Sequence, residues 1–258
     1  MTDLLHISID QAAALLLVLL RVGGIFLAAP ALAESVMPIR LRVLLAVVIA
    51  LAVVGRVAQP AGPMGAAALL AAAGGELLIG AMIGLAARVI LSGVEMGAFH
   101  ISQQLGLSLG EVFDPSSGVG GDPVRRLFEL LAVVVFLGVG GAGMVLSALI
   151  RTFQAVPLAA PAQPGGLLDL AVMLLGASLV LALKVAAPVL LAMLLATAAL
   201  GMLQKTLPQC NILTVGLPAR ALLGLALMGL SLAGLGYLVE KAMEIAAAQL
   251  GAGVRVLT

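Results

Sequence analysis

The sequence predicts an all-α, polytopic membrane protein, a single domain over 1–258 made of hydrophobic helical hairpins with kinked helices. Three observations predict it. Hydrophobic residues make up 63% of the chain and charged residues only 10%, whereas a soluble domain carries roughly 25% charged residues. Mean hydropathy is +1.26. That leaves too little polar material for a water-facing exterior, so lipid or similarly apolar subunits must cover much of the surface. The apolar residues also fall into six long blocks, at about 11–33, 39–58, 64–90, 130–150, 170–203 and 212–239. Between them lie Pro- and Gly-rich turns and one polar insert, 92–129.

The first block carries Arg21 near its middle. Ala31-Leu32-Ala33 looks like a leader cleavage site, but the start holds Asp3, His6 and Asp10 rather than positive charge. The segment is therefore read as a retained helix. Pro38 and Arg40 open the second block, and Gln59, Pro60, Gly62 and Pro63 close it with a turn. The third contains Glu76 and Arg88. The fourth, 130–150, has no charge. Pro157, Pro161, Pro164, Gly165 and Gly166 form the next loop. The fifth block is longer than one simple span of about 20 residues needs, and Pro188 inside it is a natural kink or break. The sixth carries Arg220, and the tail after it is mildly amphipathic. With the N-terminus outside, the inner loops hold Arg40, Arg42, Arg125, Arg126 and Lys205, and the outer ones Arg56, Arg151, Lys241 and Arg255. The bias is slight but favours that orientation.

Arg21, Glu76, Lys184 and Arg220 lie inside apolar blocks. At the centre of a lipid-facing helix a cation costs about 2.5–3.5 kcal/mol on insertion scales. They are expected to face protein and serve packing, with Glu76 pairing with Arg21 or Lys184, within the chain or across a subunit boundary. For Arg220 and Arg88 the plainer alternative is a side chain reaching out from near a helix end.

Several function classes are excluded. A net charge of +1 offers no basic field for nucleic acid. One cysteine, Cys210, and two isolated histidines, His6 and His100, supply no metal cluster, and no cofactor is implied. Gly138-Val139-Gly140-Gly141-Ala142-Gly143 fits G-x-G-x-x-G, but the acid a dinucleotide fold needs roughly 20 residues later is missing. Close helix packing explains these glycines better, as it does Gly80 and Gly84. No catalytic constellation is present, so an enzyme is not expected. A small-solute transporter would need discontinuous helices around a substrate site, for which Pro188 and the Gly138 run are the only hints.

The insert begins as a possible helix, breaks at Gly106 and Gly110, and is apolar despite its breaks. Leu105, Leu107, Leu109, Val112 and Phe113 are interrupted by Gly106 and Gly110, and Asp114-Pro115 enforces a turn. Irregular backbone at membrane depth must be buried in protein or line a cavity. From residues alone it is either a loop that enters or caps a pore, or a surface loop tucked against the helices. Further on, Pro208 and Pro218 set off a short link containing Asn211 and Gly216.

At this point the chain resembles a known family. Gly201 to Pro218, including Pro208-Gln209-Cys210-Asn211-Ile212 and Gly216-Leu217-Pro218, is similar to the terminal motif of the FliR family and its injectisome SctT relatives. Ala182-Leu183-Lys184-Val185-Ala186-Ala187-Pro188, Leu20-Arg21-Val22 with Ala29-Pro30, Ile101-Ser102-Gln103-Gln104-Leu105-Gly106 with Asp114-Pro115, and Ser147 to Pro157 resemble other blocks of that family, all in order. The chain departs from the pattern at Ala142, Lys205, Cys210, Leu213, Leu217, Leu109 and Val112. The resemblance implies a subunit of a helical, hetero-oligomeric export gate that forms and closes the protein-conducting channel for flagellar components. FliP- and FliQ-type neighbours, FlhA- and FlhB-type subunits nearby, unfolded substrates in transit and a place in the inner membrane at the flagellar basal body come with it. An injectisome gate is the alternative. Leu105, Gly106, Leu109, Gly110, Val112, Phe113, Asp114 and Pro115 would form the plug. Gln104, Pro188, Pro208, Asn211, Gly216 and Pro218 would be motif positions.

Overall fold

The computed structural model describes residues 2–29, 38–57, 65–106, 122–160, 164–206 and 212–256. They form helices α1 (Thr2–Ala28), α2 (Ile39–Val54), α3 (Ala66–Leu105), α4 (Pro123–Gly138), α5 (Gly141–Ala155), α6 (Pro164–Thr206) and α7 (Ile212–Val256). No strand occurs among the described residues. Four helices are long and apolar enough to cross a membrane, or five spans if the bent pair α4–α5 counts as one.

The helices refine the sequence blocks in three informative places. The third block does not stop at 90 but runs to Leu105, taking in the first half of the polar insert. Val94, Ala98, Ile101 and Leu105 recur at helical spacing and are buried, while Gln103 and Gln104 point outward. The insert thus begins as a helix, as expected, with its polar residues on the outer stripe. The fourth block, 130–150, is not one helix. It breaks at Val139–Gly140, where Gly140 takes φ +94. A left-handed residue cannot continue a helix, and glycine adopts it without a Cβ clash. In the fifth block α6 passes through Pro188 without ending. A proline removes one backbone hydrogen bond and bends the helix locally, and the apolar residues on either side keep it going.

The chain packs as two units. One comprises residues 1–89, 140–176 and 243–258. Its core is built by α1, with Leu17, Val18 and Val22 buried against Ala46 and Ala50 of α2, Ile83 of α3 and Leu149 of α5. The other comprises 90–139 and 177–242. There the buried side chains include Ile101, Phe128, Phe136, Met193 and Leu235.

Candidate functional site

Two places stand out among the described residues. The first is a buried ion pair in the first unit. α1 and α3 approach so closely that a Cβ at Gly80 would collide with the Arg21 carbonyl, and one at Gly84 with that of Ile25. Gly24 makes the reciprocal approach to Leu77. Glycines four apart on one helix meeting Arg21 and Ile25, four apart on the other, make a small-residue seam. The seam brings the Arg21 guanidinium to Glu76, one turn before Gly80. Arg21 Nε donates to Glu76 Oε2 at 2.5 Å, and both groups are essentially inaccessible, at 0% and 1% side-chain exposure.

The remaining valences of the pair are spent on one turn of backbone. Arg21 donates from Nη1 and Nη2 to the Val156 carbonyl, at 3.3 and 3.2 Å. Glu76 Oε1 accepts from the Ala159 N–H at 3.1 Å, and the Phe153 ring lies 4.3 Å from the guanidinium carbon. Ala159 is the one described non-glycine residue at positive φ, +63, a conformation that costs an L-residue about 1–2 kcal/mol. A charge-assisted hydrogen bond from its own N–H offsets that cost. Arg21 and Glu76 thus tie the turn after α5 to α1 and α3. Of the two partners foreseen for Glu76, the structure supplies Arg21.

The second place is the frame of the insert, in the other unit. α3 ends at Leu105, buried at 4% exposure. Gly106 follows at φ +74, its N–H donating to the Gln103 carbonyl at 3.1 Å. That is a left-handed glycine terminating a helix. Leu105 fits because Gly224 of α7 has no side chain; a Cβ there would strike Leu105 and the Met193 methyl. Leu109, Gly110, Val112, Phe113, Asp114 and Pro115 lie outside the described residues, as do Pro208 and Asn211. The chain is described again from Asp122, whose Oδ1 accepts from the Val124 and Arg125 N–H groups at 3.0 and 3.3 Å. With Pro123 at the first helical position, this is a strong N-terminal cap. Arg125 faces Glu95 at 3.7 Å. The Asp122-Pro123 cap and the Gly93–Gly97 pair, where a Cβ would crowd Ser178 and Ala182 carbonyls, were not singled out in the sequence. Aspartate directly before proline and glycines at helical spacing were the signals.

The other named residues scatter. Arg220 is part-exposed and donates from Nη2 to Thr197 Oγ1 at 2.8 Å. Lys184 is exposed. Gly216 is buried and Pro218 exposed within α7, while Pro188 is half-buried in α6 and Gln104 is exposed. Among the described residues no cluster of metal-ligating side chains occurs.

The family described as bacterial export proteins, family 1, matches residues 12–246. The chain belongs to that family. Among its relatives are the flagellar biosynthetic protein FliR of Escherichia coli strain K12, 29% identical over 211 residues, 81% of this chain and 80% of that one, and the FliR of Bacillus subtilis strain 168, 26% identical, covering 82% and 83%. The Yop proteins translocation protein T of Yersinia pestis is 26% identical over 63% of each chain. The matched region contains both places just described, Arg21 with Glu76 and the helix ends that frame the insert.

Proposed function

We propose that this export-family membrane protein is the subunit that closes the protein-conducting channel of a flagellar type III export gate. It is a type III export-gate subunit; the FliR proteins of Escherichia coli and Bacillus subtilis match it over more of its length than the translocation protein T of Yersinia pestis does. Its neighbours are FliP- and FliQ-type subunits, with FlhA- and FlhB-type subunits adjoining, in the bacterial inner membrane. The segment from Leu105 to Pro115 is the plug, in which Leu109, Val112 and Phe113 exclude water from a narrow passage as hydrophobic constrictions do.

The observation that carries this reading is helix length. α3, α6 and α7 have 40, 43 and 45 residues. At 1.5 Å per residue each is about 60 Å or more along its axis, twice the roughly 30 Å of hydrocarbon in a bilayer. Each carries a stretch long and apolar enough to cross a membrane, and α6 holds only Asp169, Lys184 and Lys205 as charges over its whole length. Lipid can cover half of such a helix, so the other half needs protein, which a multi-subunit gate supplies. A small-solute transporter gives no reason for that doubled length.

The test is complementation. In a motile bacterium lacking its own FliR-type gene, the chain expressed with its cognate FliP- and FliQ-type subunits should restore secretion of hook and filament proteins. Purified complex should contain all three. A chain that is stable and membrane-integrated alone, without binding either neighbour, would contradict the proposal.

A further inference from the structure

We infer that Lys184 is a docking cation: its ammonium pairs with a carboxylate on an apolar helix of a neighbouring gate subunit, at the Pro188 turn of α6. The inference rests on the export-gate reading and names one contact within it.

Lys184 is the only charge between Leu170 and Leu203. It stands twenty residues from Pro164 and twenty-two from Thr206, about 30 Å from either end of the helix. It is exposed, on a face shared with Val180, Leu191 and Leu195, which are 54%, 63% and 70% exposed. Glu76, the acid foreseen as its alternative partner, is engaged through both oxygens by Arg21 and the Ala159 N–H. No ion pair among the described residues includes Lys184.

The backbone at this turn points the same way. Pro188 has no N–H, so the Lys184 carbonyl lacks its partner four residues on. The next carbonyl, of the buried Val185, accepts from Ser231 Oγ of α7 at 2.5 Å. One side of the turn is thus closed within the chain. The other presents an ammonium and a freed carbonyl amid exposed aliphatic side chains. An apolar helix bearing one carboxyl group complements that surface: methyls cover the aliphatics, and the carboxylate meets the cation in a water-poor setting where pairing is strong. A bare lipid tail complements only the aliphatics.

The test uses the complete gate complex purified from membranes. Lys184→Met keeps the length and apolar stem and removes the charge. It should lower the yield of assembled complex by about tenfold or more, because it strands a buried carboxylate. Lys184→Glu should lower it further. Changing the acids of the neighbouring subunits' apolar segments to Lys, one at a time in the Lys184→Glu background, should restore assembly at one position. If Lys184→Met and Lys184→Glu assemble as well as wild type, Lys184 merely reaches water at a membrane boundary and the inference falls. If both impair assembly and no acid-to-Lys change restores it, the carboxylate partner is wrong. Failure of the wild-type chain to assemble would instead strike the export-gate reading itself.

Discussion

Arg21 and Lys184 look alike in the sequence, each a lone cation in a long apolar block, and the molecule treats them in opposite ways. Arg21 is sealed at 0% exposure against Glu76, the Val156 carbonyl and the Phe153 ring. Lys184 is exposed on the surface of α6. The difference lies in what the facing helix offers. Glycines at 80 and 84 let α3 come close enough to α1 to deliver a carboxylate; the exposed face of α6 carries aliphatics at the corresponding turns. A charge in an apolar helix is satisfied either by the chain's own close packing or by something outside it, and the small residues opposite decide which.

The largest effect should come from breaking the internal pair. Glu76→Ala or Arg21→Met leaves a buried charge unpaired, at a cost of about 3–5 kcal/mol, and also strands the turn at Val156–Ala159. Either should nearly abolish recovery of folded complex. The Arg21→Met/Glu76→Met double variant should recover more than either single one. Double-mutant yields no better than the singles would show that the backbone bonds, not the charges, dominate.

The seam itself comes next. Gly80→Ala pushes a methyl into the Arg21 carbonyl and should lower the apparent stability of the complex by about 1–3 kcal/mol. Gly74→Ala, with nothing within 4 Å of the new methyl, should be neutral or stabilise by a few tenths to about 1 kcal/mol. Equal melting temperatures for the two variants would remove close approach as the reason the pair forms.

Smaller still is Gly140→Ala, which forces a side chain into the left-handed bend between α4 and α5 and should cost about 1 kcal/mol. Thr197→Val removes a part-exposed bond to Arg220 and should cost about 0.5–1.5 kcal/mol. Thermal unfolding in detergent checks both. A larger loss for Thr197→Val than for Gly80→Ala would invert the ranking of buried over exposed charge.

Much of this was legible in the sequence, for physical reasons. Composition announces membrane helices because no other arrangement hides so many apolar side chains. Arg21 and Glu76 announce each other because neither can face lipid alone. Lengths were less legible. The insert's helical start was legible, but not that it continues the third block without a break; the buried spacing of Val94, Ala98, Ile101 and Leu105 shows that. The break at Gly140 is hidden because a glycine run fits helix packing and a bend equally well. The exposure of Lys184 could not be read at all: which face of a uniformly apolar helix turns inward depends on its neighbours, and α6 is apolar all round.

The most direct test of the account is the conductance of the assembled gate in a planar bilayer. Wild-type complex should be closed to ions. The variant carrying Leu109→Ser, Val112→Ser and Phe113→Ser should assemble with normal yield and conduct, since the apolar constriction that excludes water is gone. If the assembled variant stays as tight as wild type, the insert is a packing loop and another part of the gate closes the channel.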